Sequence, residues 1–195
     1  MRATQSLPEN YEQIYTIDLQ KDKKKALLIN ALSLLITAVL IIPVAFIKPF
    51  DALYDMSRGQ DAYFLRFAVM LVACIVYLVL HELVHGIAMK LCGTKKVRYG
   101  ATGLYAYAGS DDYYGKKAYV FIALAPVVLW GIVLAVVCCL VPDEWFWVVY
   151  LVQITNLSGA AGDLFVTVRF SRMPSDILVR DYGVSMCVYA KKTGE

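Results

Sequence analysis

His81, Glu82 and His85 stand within five residues of one another in VYLVLHELVHGIAMKLCG (76–93), a run that is otherwise as apolar as a membrane span. On a helix the two histidines lie one turn apart on the same face, where both can present a ring nitrogen to one ion, and Glu82 is offset by about 100° toward the edge of that face. This is the HExxH arrangement: two imidazoles hold a metal ion, zinc above all, and the carboxylate takes a proton from the water that the metal activates. The chemistry it offers is metal-assisted hydrolysis. The chain has only two histidines, and both are here. Random placement would set two histidines four apart in about 1% of arrangements.

A catalytic zinc commonly takes three protein ligands and keeps one position open. No third histidine is present, which excludes the pattern in which a further histidine follows closely downstream. The acids after the motif are Asp111, Asp112, Asp143, Glu144, Asp163, Asp176, Asp181 and Glu195, and Asp163 alone lies within an apolar segment. Counted from the start of their spans, His81 and Asp163 fall at similar depth, about 27 Å along their helices. In NLSGAAGDL a continuous helix would put Asn156, Gly159 and Asp163 on one face, with small residues that let another helix approach closely. Asn156 is then a residue that could donate to a ligand or to a substrate carbonyl. A small-residue packing motif with an aspartate at the membrane edge is the alternative.

The elements that must position these groups are membrane helices. Over 195 residues the chain is 59% hydrophobic and 18% charged, with a mean hydropathy of +0.58, which is the composition of a small integral membrane protein. It reads as one all-α membrane domain over 1–195, with spans at about 26–47, 63–91, 118–141 and 145–168. The first apolar run is long for a signal peptide and lacks a small-residue cleavage site, so it reads as an uncleaved anchor. Lys and Arg number five before the first span, six between Lys90 and Lys117 and five after the fourth, against three (Lys48, Arg58, Arg66) in the opposite connections. The positive-inside rule therefore puts both termini and the 90–117 loop in the cytoplasm. A net charge of +3 follows from this asymmetry and gives no footprint for nucleic acid.

Two polar regions suggest a small cytoplasmic β element. The loop 97–115 carries a short alternation at Leu104 to Ala108 and reads as a hairpin or an irregular connection. The tail gives ILV and VSMCVY around a DYG turn, two short strands that could pair with QIYTIDLQ near the N-terminus. Asp111 and Asp112 read as an exposed turn rather than a metal site. The five cysteines are scattered and form no disulfide or zinc pattern.

HELVH in the second of four spans, LAP (124–126) in the third, and Asn156 with Asp163 in the fourth resemble a bacterial membrane family of zincin peptidases long catalogued as a domain of unknown function, similar in plan to the site-2 proteases. The resemblance runs from about Tyr11 to Tyr189. It implies a single zinc held by His81, His85 and Asp163, Glu82 as general base, a bacterial plasma membrane, and a membrane protein or peptide as substrate. One departure stands out: site-2 proteases carry an asparagine, a proline and then Asp-Gly in the third-ligand segment, whereas here the proline is absent and the order is Gly162-Asp163.

The expected function is a zinc metallopeptidase that cleaves a peptide bond near the cytoplasmic membrane face. Two other readings use the same residues: a metal-binding regulatory protein without turnover, and a small proton or cation transport protein. Binding alone has no need of Glu82, and a transport path would string polar groups over several depths.

Overall fold

A computed structural model describes residues 3–57, 59–102 and 106–192. The elements in chain order are β1 (Tyr11–Asp18), α1 (Lys23–Ile47), α2 (Asp51–Tyr54), α3 (Gln60–Leu91), β2 (Arg98–Ala101), β3 (Ala106–Gly109), β4 (Tyr113–Gly115), α4 (Lys116–Leu140), α5 (Asp143–Gly159), α6 (Ala161–Ser171), β5 (Leu178–Asp181) and β6 (Ser185–Lys191). Leu104 of the expected alternation, and Arg2 and Arg58 among the counted cations, lie outside the described residues.

Among the described residues, three helices, α1, α3 and α4, are long and apolar enough to cross a membrane. Helix α1 starts where the Asp22 carboxylate accepts the Lys25 N–H at 3.0 Å, and it stops at Pro49, which cannot donate to a continuing helix. Only 6% of its most apolar window is buried, and Leu27, Leu34, Val39 and Phe46 are each more than half exposed, as on a lipid-facing helix. The fourth apolar segment is not one helix. It divides at Ala160 into α5, of 17 residues, and α6, of 11, because Gly159 and Gly162 flank the junction and glycine is a poor helix former. Asn156 and Asp163 therefore sit on separate helices rather than on one continuous one.

The described residues fall into two compact units, and α3 contributes its N-terminal part, through His81, to one and the remainder to the other. The first unit, Met1–Leu28, Glu82–Pro126 and Asp163–Glu195, contains an antiparallel sheet of order β1-β6-β5-β4 and the separate β2–β3 hairpin. The expected pairing of the chain's two ends is present: β1 and β6 run from Tyr11 opposite Lys191 to Asp18 opposite Ser185, with an irregularity between Gln13 and Tyr15. The DYG turn joins β5 to β6, and its Gly183 has a φ of 95°, a conformation that favours glycine. Ile17, Val179 and Val188 from this sheet pack on Met89, Ile122 and Phe170, a core in which each is at most 2% exposed.

The second unit, Ile29–His81 and Val127–Gly162, is helical, and its own core is aromatic. Phe50 stacks on Trp147 with centroids 4.1 Å apart, and the Trp147 indole donates to the Pro49 carbonyl at 3.0 Å. Tyr150 donates to the Leu40 carbonyl at 2.8 Å, so the middle of α5 is tied to α1. An apolar cleft of about 310 Å³ lies beside Tyr77, walled by Val69, Ala73, Leu80, Trp130 and Val148.

Candidate metal centre

His81 and His85 leave one face of α3 a turn apart, at 8% and 9% exposure, and Asp163 stands in the first turn of α6. A carboxylate there is favoured by the partial positive charge of the helix start. His85 Nε2 is 3.5 Å from Asp163 Oδ2, and one ligand atom from each of His81, His85 and Asp163 lies within 4.8 Å of the other two. A tetrahedral zinc, with bonds of about 2.0 to 2.2 Å to nitrogen and oxygen, sets its ligand atoms roughly 3.3 to 3.5 Å apart. The His85–Asp163 pair already has that edge, and the other pairs reach it by closing at most about 1.5 Å. Two neutral imidazoles and one carboxylate are also a donor set suited to zinc. The residues fit the metal.

The back of each imidazole is held. His85 Nδ1 is 2.9 Å from the Ile122 carbonyl on α4. That carbonyl is available because Pro126, four residues on and inside the helix, has no N–H with which to close the usual bond. A carbonyl only accepts, so Nδ1 carries a proton, which leaves Nε2, the nitrogen that faces Asp163, as the one able to bind a metal. On the other histidine, Nδ1 is 2.7 Å from the Tyr77 hydroxyl, which donates to Asn156 Oδ1 at 2.8 Å. Asn156 is fully buried and donates at 3.3 Å to the Val127 carbonyl and at 3.3 Å to Gln153 Oε1, while Gln153 Nε2 donates to the Gly131 carbonyl at 3.0 Å. Sequence reasoning singled out Asn156 but missed Tyr77 and Gln153. The available signal was spacing, since Tyr77, His81 and His85 recur every four residues and so share a face of α3.

Asp181, which sequence reasoning left among the unremarkable acids, is 8% exposed. Its Oδ2 accepts the Tyr119 hydroxyl at 2.6 Å and its Oδ1 accepts the Gly183 N–H at 2.7 Å. Burial pushes this carboxyl from its ordinary value near 4 up to about 6, against the lowering effect of those two donors. The folded state thus holds the Asp181 proton more tightly than the unfolded chain does. The resulting stabilisation is complete below about pH 4 and is lost as pH rises through about 6. Thermal unfolding of the zinc-free protein in detergent should therefore show a loss of up to about 3 kcal/mol over that window, absent in Asp181→Asn. Parallel curves for the two proteins would contradict it. Asp111 is different: exposed, it bonds Arg98 at 2.8 Å and Arg180 at 2.9 Å, and these guanidinium groups hold its carboxyl below the ordinary value. With Asp111 so engaged, the Asp111–Asp112 pair is a salt-bridged turn.

The family model described as "Putative zincin peptidase" matches residues 74–178. A protein of Pyrococcus woesei, described as "Uncharacterized 24.7 kDa protein in gap 5'region", is 30% identical over 142 residues, which cover 68% of this chain and 58% of that protein. The match thus spans less than two thirds of that relative's length. No solved structure matches the chain.

Proposed function

Since the chain belongs to the zincin peptidase family, whose pattern runs from residue 74 to residue 178, we propose that it is a membrane zinc peptidase that cleaves a peptide bond at or just inside the cytoplasmic face. His81, His85 and Asp163 would hold the metal, and Glu82 would act as general base. The observation that carries this reading is the convergence of the three ligand atoms within 4.8 Å, two of them from the α3 turn that bears the glutamate. Zinc bound there supplies the Lewis acidity that polarises a peptide carbonyl and acidifies water. The protein's own part is to fix the ligand nitrogens, to exclude bulk water from two nearly buried imidazoles, and to accept at Glu82 the proton of the attacking water.

The remaining elements of the reading concern the membrane and the substrate. Helices α5 and α6 together make a fourth crossing, broken where the site needs Asp163 to open a helix. The concentration of Lys and Arg at both ends and in the 90–117 loop favours a cytoplasmic location for the termini, in a cell membrane and with a plan like that of the site-2 proteases. The apolar cleft beside Tyr77 suits an apolar peptide or the span of a membrane protein. The test is metal content and metal dependence. Detergent-purified protein should carry about one zinc per chain by mass spectrometry. A chelator should abolish hydrolysis of apolar reporter peptides in proteoliposomes, and zinc should restore it. A wild type that takes up no zinc under zinc-replete conditions ends the reading.

A further inference from the structure

The hydrogen bonds behind His81 have only one possible direction. Gln153 faces the Gly131 carbonyl, an acceptor, so its amide nitrogen must be on that side and its Oε1 on the other. Asn156 faces the Val127 carbonyl and that Gln153 oxygen, two acceptors, so both its amide hydrogens are committed and its Oδ1 must face Tyr77. The Tyr77 hydroxyl has one proton, and Oδ1 takes it. Toward His81 the hydroxyl can then only accept. His81 Nδ1 is accordingly the protonated nitrogen, and Nε2 keeps its lone pair for a ligand.

We infer that Tyr77, Asn156 and Gln153 are positioning residues that set the His81 tautomer, anchored on two α4 carbonyls. This rests on the proposed zinc site for its purpose, since a ring nitrogen bearing a proton cannot bind a metal. It also assigns Asn156 a role behind the histidine: with both amide hydrogens spent, it has none for a substrate carbonyl. Loss of the relay acts through direction as well as through contact. In Asn156→Leu the Tyr77 hydroxyl loses its acceptor and is free to turn and donate to His81 Nδ1, which drives the proton to Nε2.

With two histidines in the chain, a ¹⁵N-histidine spectrum contains just two rings. In zinc-free wild type, at a pH where the His81 ring is neutral, His81 should be the Nδ1–H tautomer. In Tyr77→Phe and in Asn156→Leu the His81 signals should move to the Nε2–H tautomer or to a mixture, while His85, held by the Ile122 carbonyl, stays unchanged. Chelator competition should show zinc bound about 10- to 100-fold more weakly in both variants. Thr155→Val is the control, because the Thr155 hydroxyl donates to the Leu151 carbonyl of its own helix and takes no part in the relay; it should alter neither readout. A His81 ring that is Nε2–H in the wild type, or that remains Nδ1–H in both variants, overturns the inference. The tautomer is read without metal, so a correct tautomer in a protein that binds no zinc would fail the peptidase reading and leave the relay standing.

Discussion

Glu82→Gln should lower peptide hydrolysis by about 100- to 10,000-fold, the range that a positioned general base contributes, while zinc content stays at the wild-type level. Both halves of the result matter. Glu82 follows His81 directly and precedes His85 by three positions, so it lies beside the ligand face rather than on it, and glutamine keeps its size and hydrogen-bonding shape while losing the ability to accept a full proton. If the glutamate were a ligand, its amide would weaken metal binding together with activity. If the protein only stored or sensed metal, the variant would bind normally and there would be no hydrolysis to lose. The measurement is a paired one: zinc per chain by mass spectrometry and turnover of a reporter peptide on the same preparation. Wild-type turnover in Glu82→Gln would remove the general-base assignment, and with it the chief reason to prefer a peptidase over a metal-binding protein.

What sequence made visible and what it hid follow from physical differences among the residues. An uninterrupted apolar run such as 26–47 has few alternatives to a membrane helix, and HELVH announces its chemistry because histidine and glutamate are costly there. The pairing of the two chain ends was legible in the alternation of QIYTIDLQ and VSMCVY, although the irregularity between Gln13 and Tyr15 depends on packing that no single strand encodes. The break at Ala160 was hidden because the glycines of SGAAG serve equally to let helices approach or to end one. Tyr77 was hidden for another reason: an aromatic residue in an apolar helix reads as packing or lipid contact until the acceptors around its hydroxyl are known. Pro126 belonged to a recognised tripeptide, yet its effect appears only once the Ile122 carbonyl that it frees is seen to face His85. Asp181 looked like a turn residue, because its position at the end of a four-residue strand gives no sign of the Tyr119 hydroxyl that covers it.

Asp181 makes the identity of the third ligand a real choice, and the two acids should behave oppositely. Asp163→Ala should weaken zinc binding by more than about 100-fold, beyond the cost of losing an outer-shell partner, whereas Asp181→Asn should leave zinc content unchanged. The Asp181 oxygens are both engaged, one by the Tyr119 hydroxyl and one by the Gly183 N–H, so ligation would require breaking a 2.6 Å and a 2.7 Å bond inside a packed core. The Asp163 side chain is 24% exposed and one oxygen is 3.5 Å from His85 Nε2, the separation that two ligands of one zinc would have. Charge points the same way. With Asp163 a dication at the site is left with a net charge of about +1 before Glu82 is counted, and without it two neutral imidazoles face the full charge in a poorly hydrated place. Zinc stoichiometry and chelator competition on the two variants decide the matter. Full zinc content in Asp163→Ala together with its loss in Asp181→Asn would move the third ligand from α6 to β5, and the turn that Gly183 makes would then become the element that positions the metal.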